Sequence, residues 1–113
     1  MSAELTVITH TYDLLVWALN HTAKFPRSHR HGLGHRIEDK LQRLLDALIE
    51  AKFSSDKAEV LRQASLRVEE LRLLFRVARD LRIMAIGSHG HASRQLDEIG
   101  KQLGGWRRRA KPS

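Results

Sequence analysis

Proline occurs only at positions 26 and 112, and the seven glycines fall in three clusters. These residues interrupt regular structure: proline cannot donate its backbone N–H, and glycine accepts conformations that other residues avoid. The stretches between them carry apolar residues at helical spacing, which predicts four helices and no strands. Joined by short loops, such helices give an all-α, antiparallel up-down-up-down four-helix bundle. The expected bundle domain covers residues 1–106, and the polar residues 107–113 are expected to be a basic, disordered tail. A chain of 113 residues has room for one domain, and no internal repeat is visible.

Helix 1 is expected over roughly 4–23, with Ile8, Tyr12, Leu15 and Leu19 as its stripe and Leu14, Val16 and Trp17 widening it. Pro26 ends it. Helix 2 is expected to begin between Pro26 and Ser28 and to run to about Ala51, with a near-heptad seam of Leu33, Ile37, Leu41, Leu44, Leu48 and Ala51. Gly32 and Gly34 lie in its first turns, where either close backbone approach or an irregular start explains them. Helix 3 is expected from Asp56, which with Glu59 resembles a capping box, to about Ile86. Its apolar residues occupy most of the circumference, more than one bundle buries, which points to a subunit interface. A short loop over 87–91 leads to helix 4, about 92–103. Its face is Ala92, Leu96, Ile99, Leu103 and Trp106, and it should stop at Gly104-Gly105.

The formal net charge is +7, and the cations are not evenly spread. No Asp or Glu occurs between Asp13 and Glu38, a stretch that holds Lys24, Arg27, Arg30 and Arg36 with His29, His31 and His35. A second acid-free run holds Arg107, Arg108, Arg109 and Lys111. A third group, Arg62, Arg72, Arg76 and Arg79, is spaced by helical turns along helix 3. Two acid-free basic runs on a small helical protein point to an anionic partner, foremost RNA or DNA. Arginine suits phosphate oxygens because its planar fork donates two parallel hydrogen bonds. Each group also has a structural reading: a solvated helix cap with local salt bridges for the first, an idle terminus for the second, and a surface face pairing with Glu69, Asp80 or a neighbouring subunit for the third.

Other chemistry is excluded or weak. There is no cysteine, so no disulfide or thiolate metal site forms. His31 and His35 have the i, i+4 spacing of metal ligands but lack a nearby acid in the pattern of such sites. Added positive charge at mildly acid pH is their expected role. Trp17, Trp106 and Tyr12 can stack on bases but are expected to pack in the core or an interface. No Gly-rich phosphate loop, nucleophile–base pair or two-carboxylate site is visible, so no enzyme and no cofactor are expected. The N-terminus lacks the pattern of a signal peptide and no apolar run is long enough to span a bilayer, so a cytoplasmic protein without membrane contact is expected.

Four segments, read in order, resemble the accessory variability determinant (Avd) family of diversity-generating retroelements. They are Thr-Tyr-Asp-Leu-Leu-Val-Trp-Ala-Leu (11–19), Lys-Phe-Pro-Arg-Ser-His-Arg-His-Gly-Leu-Gly-His-Arg-Ile-Glu (24–38), Leu-Leu-Phe-Arg-Val-Ala-Arg-Asp-Leu-Arg (73–82) and Leu-Asp-Glu-Ile-Gly-Lys-Gln-Leu-Gly-Gly-Trp (96–106). The second and fourth are the specific ones. A neighbouring family, the four-helix proteins encoded in intervening sequences of ribosomal RNA genes, carries Asn-Ile-Ala-Glu-Gly on helix 2. This chain has Asp-Ala-Leu-Ile-Glu-Ala (46–51) there. The resemblance implies a four-helix bundle that assembles into a barrel-shaped homopentamer. It also implies binding to the retroelement's reverse transcriptase and nucleic acid, in support of mutagenic cDNA synthesis from a template RNA. The histidine-rich segment 29–35 and the triple-arginine tail depart from the family pattern. The alternative is a helical protein–protein interaction module, related to the intervening-sequence proteins and basic only for solubility.

Overall fold

The computed structural model describes residues 2–110. Four long helices make up the fold: α1 (Ala3–Thr22), α3 (His35–Phe53), α4 (Ala58–Asp80) and α5 (Ile86–Ala110). Between α1 and α3 lie a single turn, α2 (Arg27–His29), and a π-helical turn (Arg30–Gly34). No strand occurs among the described residues. The bundle is elongated, 48 × 23 × 22 Å. Each long helix packs on its neighbours in the chain, and α5 closes the ring against α1. Thus α1 and α4 face each other across the diagonal.

The seam of α3 is the centre of the core. Ile37, Leu41, Leu44, Leu48 and Ala51 are fully buried, with Leu33 packed against them. Each such leucine contributes about 1.5–3 kcal/mol by leaving water. They meet Leu61, Ala64, Val68, Leu71, Phe75 and Ala78 of α4 and Ala92, Leu96, Ile99, Leu103 and Trp106 of α5.

The stripe of α1 differs from the expected one. Its buried residues are Val7, Thr11, Leu14, Leu15, Ala18 and Thr22, while Tyr12, Val16 and Leu19 are exposed. The buried threonines keep their hydroxyls satisfied. Thr11 donates to the Val7 carbonyl at 2.8 Å, and Thr22 donates to the Glu38 carboxylate. A polar residue that bonds locally can occupy a core position. The more apolar residues are thereby left on the outside of α1.

Four expected boundaries also move. α4 ends at Asp80, not near Ile86, in a Schellman motif. The Ile83 N–H donates to the Ala78 carbonyl at 3.0 Å and the Arg82 N–H to the Arg79 carbonyl at 2.9 Å. The left-handed residue this motif needs is Arg82, at φ 63°, where glycine is usual. The expected capping box does not form: α4 starts at Ala58, after Lys57. Glu59 turns to Arg62 and Gln63 instead. Lys57 bends back so that its ammonium donates to the carbonyls of Ala51 and Ser54, closing the end of α3.

Residues 87–91 are not a loop but the first turns of α5, and Gly104-Gly105 do not stop it. All glycines keep negative φ. Helical glycine costs about 1 kcal/mol relative to Ala. The buried face from Ala92 to Trp106 offsets that cost and carries the helix through. Arg107, Arg108 and Arg109 are therefore helical, which corrects the disordered-tail expectation for 107–110. Residues 111–113 lie outside the described residues.

Candidate nucleic-acid interface

The elbow between α1 and α3 is built from the chain's only internal proline and two glycines. After Thr22 the N–H groups of Lys24 and Phe25 close turns on the carbonyls of His21 and Thr22. The side chain of Phe25 is buried and anchors the bend. Pro26 then opens α2, with its carbonyl accepting from the N–H groups of His29 and Arg30. Gly34 lets the incoming and outgoing segments touch. A Cβ there would lie 3.5 Å from the Phe25 ring, 3.6 Å from the His29 carbonyl and 3.6 Å from Thr22 Cβ. Between the two expected accounts of the glycines, close approach holds for Gly34 and an irregular start, the π turn, for Gly32.

This frame presents cations without partners. Lys24, Arg27, Arg30 and Arg36 are all exposed. Among the described residues none of them lies within ion-pair distance of a carboxylate. The nearby acids are already engaged. Glu38 takes the Thr22 hydroxyl. Asp39 accepts from Arg43 Nε at 2.8 Å. Glu70 pairs with Lys40 and Arg67, each at 2.8 Å. A hydrogen bond from Lys40 holds the Glu70 carboxyl below the usual carboxylate range, with burial opposing and the charges of Arg67, Lys40 and Arg36 assisting.

The α4 arginines are placed differently. Arg62 pairs with Glu59, Arg72 with Asp97 of α5 and with Glu69, and Arg76 and Arg79 both with Asp80. The Arg62 hydrogen bond, aided by Gln63, lowers the Glu59 carboxyl to about 2. Each cation of this stripe is thus matched by a carboxylate within 4.0 Å, and little net field leaves the face.

The arginines at the end of α5 form the second free group. Arg107 Nη1 donates to Ser65 Oγ at 3.2 Å. Arg108 and Arg109 are exposed and fold back over the glycines one turn earlier. Arg107 and Arg108 line a shallow cavity with Ala58 and Gly104. Arg109 lines another with Glu4 and Lys57. The elbow and this group lie at opposite ends of the bundle. Thr22 meets Glu38, and Trp17 meets Phe75 and His91, at the elbow end. His10 meets Gln102, and Ser65 meets Arg107, toward the other.

Among the aromatics, Trp106 is core, Trp17 is half-buried and Tyr12 is exposed. Trp17 is stacked by His21, ring centroids 3.9 Å apart, and approached by His91 at 4.8 Å. The only sequence signal for the first contact is the i, i+4 spacing of Trp17 and His21; the second is tertiary. The rings of His31 and His35 meet edge-on at 5.3 Å. Among the described residues no three His, Asp or Glu side chains gather in a metal-binding group, and no helix is long and apolar enough to cross a membrane.

A search of curated proteins gives no match. Comparison with protein families matches residues 5–110 to the family described as bAvd-like. That span includes all four long helices nearly whole, together with the elbow and the α5 arginines, so the four-helix chain whose basic turn is described above belongs to the bAvd-like family.

Proposed function

We propose that this protein is the non-catalytic accessory subunit of a diversity-generating retroelement. It binds the reverse transcriptase and the template RNA through basic surfaces and so supports mutagenic cDNA synthesis. The observation that carries this reading is the elbow: four cations without carboxylate partners on and beside the turn between α1 and α3, in a member of the bAvd-like family. Its arginines suit the phosphate backbone, which supplies most of the sequence-independent affinity for nucleic acid. The site works in the cytoplasm, without cofactor or metal.

The contacts between helix ends support an antiparallel up-down-up-down bundle. Exposed apolar stripes support a homo-oligomer. Leu5, Tyr12, Val16 and Leu19 line the outside of α1, and Leu66, Leu73 and Val77 the outside of α4, with Leu81 just beyond its end. Because α1 and α4 are diagonal, the stripes face away from each other. Joining one to the other makes a heterologous contact, which repeats around a closed ring. Five copies is the number the family implies. A ring displays the elbow several times, and repetition raises avidity without strong single contacts.

The test is co-purification. The tagged protein is expressed with the reverse transcriptase encoded beside it and recovered in moderate salt. Recovery of polymerase and RNA together is the expected result; a polymerase left behind overturns the retroelement role. The rival reading, a protein–protein module basic only for solubility, draws on the neutralised arginines of α4. It requires that charge reversal at Arg27 and Arg30 leave RNA binding untouched.

A further inference from the structure

We infer that the groove lined by His31, Gly32, His35, Arg36, Asp39 and Lys40 is a phosphodiester-binding subsite that takes up protons as it binds nucleic acid. This rests on the nucleic-acid reading above and names where, and by what chemistry, the elbow holds the backbone.

The π turn is what builds the groove. It brings the imidazoles of His31 and His35 edge-on at 5.3 Å, both exposed, along one wall. Gly32 lies between them in sequence and faces open space: a Cβ there would have no heavy atom within 4 Å. Both exposed rings are accessible to a phosphate oxygen, and Arg36 beside them makes no ion pair within 4.0 Å among the described residues.

The charged groups around the two rings are either paired with one another or cationic. On the turn and α3, Asp39 is held by Arg43 and Lys40 by Glu70. From α4, Glu70 and Arg67 face this side and pair with each other as well. From α2 come Arg27 and His29, from the π turn Arg30, from the last turn of α1 His21 and from just beyond it Lys24, with no acid among them. Glu38 is occupied by Thr22. A phosphodiester stays anionic at all relevant pH, whereas histidine is the side chain that changes charge between pH 5 and 8. A neutral imidazole offers one N–H donor; the protonated ring offers two and a positive charge. Two protonated rings this close repel each other, and an anion between them relieves that repulsion. Binding and protonation therefore favour each other, as linkage requires. Six of the seven histidines lie at this end, all but His10, but only these two line the groove.

The test is fluorescence anisotropy of a single-stranded RNA oligonucleotide at fixed low ionic strength, at about pH 8 and about pH 6. The full protein binds on the order of tenfold tighter at the lower pH, because neutral donors become charge-assisted ones. The double variant His31→Gln, His35→Gln loses the gain, binding with nearly the same affinity at the two pH values. His89→Gln, His91→Gln keeps the gain. Circular dichroism confirms that each variant is folded. Binding at the higher pH without a gain, or a gain that survives in the groove variant, overturns the inference and leaves the nucleic-acid reading intact. No binding at either pH overturns both.

Discussion

The elbow and the α4 stripe hold four of the expected cations each, yet only one of them is a source of positive potential. Arg62, Arg72, Arg76 and Arg79 stand on a helix whose acids lie one to four residues away, and α5 adds Asp97 from the neighbouring helix. Lys24, Arg27, Arg30 and Arg36 stand on a turn where the acids within reach already have donors. Charge that is available to a partner is what remains after the fold has matched its own. Counting cations along the chain measures something else.

The sharpest way to break this comparison is charge reversal on each side. Arg27→Glu with Arg30→Glu should weaken RNA binding at least about tenfold and lower the salt slope by about 0.7 per lost contact. The matched change Arg72→Glu with Arg76→Glu should cost far less affinity. Filter binding across a salt series reads both, and equal losses would erase the distinction. A second test asks what α4 does instead. Leu73, 62 % exposed, sits in the apolar stripe of a helix whose arginines are paired. If the proposed ring joins through this stripe, Leu73→Glu with Val77→Glu should give single protomers by light scattering while helicity is kept. An unchanged mass would free the α4 face for another partner.

A smaller effect runs the other way. Glu69→Gln with Asp97→Asn unpairs Arg72 and should make α4 more like the elbow, raising RNA affinity about threefold. No gain would mean that position, not pairing, separates the two regions. The smallest effect concerns acid. The Glu59 carboxyl is lowered to about 2 by Arg62 and Gln63. A lowered value means that its stabilising effect is full above the ordinary carboxylate range and is lost as pH falls through about 2. Thermal melts of Glu59→Gln against the parent should therefore converge toward pH 2 and differ slightly, by a constant amount, from pH 5 upward. A difference that changes between pH 5 and 8 would place a histidine in the α4 pairing instead.

Much of the fold was legible in the sequence. The α3 seam and the α5 face could be read residue by residue, because each helix has one clearly more apolar side and that side is buried. α1 could not, because its outer side is as apolar as its inner one. Thr11 and Thr22 fill core positions by bonding within the chain, and periodicity has no way to see that. Glycine misled at 87–91 and 104–105, since local cost yields to packing against α1 and α4. The capping box at Asp56 was displaced by Lys57, whose reach back to α3 is tertiary. The site was legible as a list and not as a set: the elbow segment was visible from its missing acids, while the neutralisation of Arg72 depends on Asp97, twenty-five residues away.

The turn after α4 has a consequence for folding fidelity. The reversal of the chain there depends on a single non-glycine residue, Arg82, holding a left-handed backbone. No proline enforces it, and α5 begins only a few residues later. Straightening that residue would run α4 and α5 together into one rod and send α5 outward as an arm. Such an arm finds its complementary groove most readily on another copy of the same chain. The closed hairpin and the exchanged pair bury the same faces, so the choice between them rests on local backbone preference and on protein concentration. A glycine at this position would adopt the left-handed backbone without the steric cost that the arginine Cβ carries, and so would shift that balance toward the hairpin.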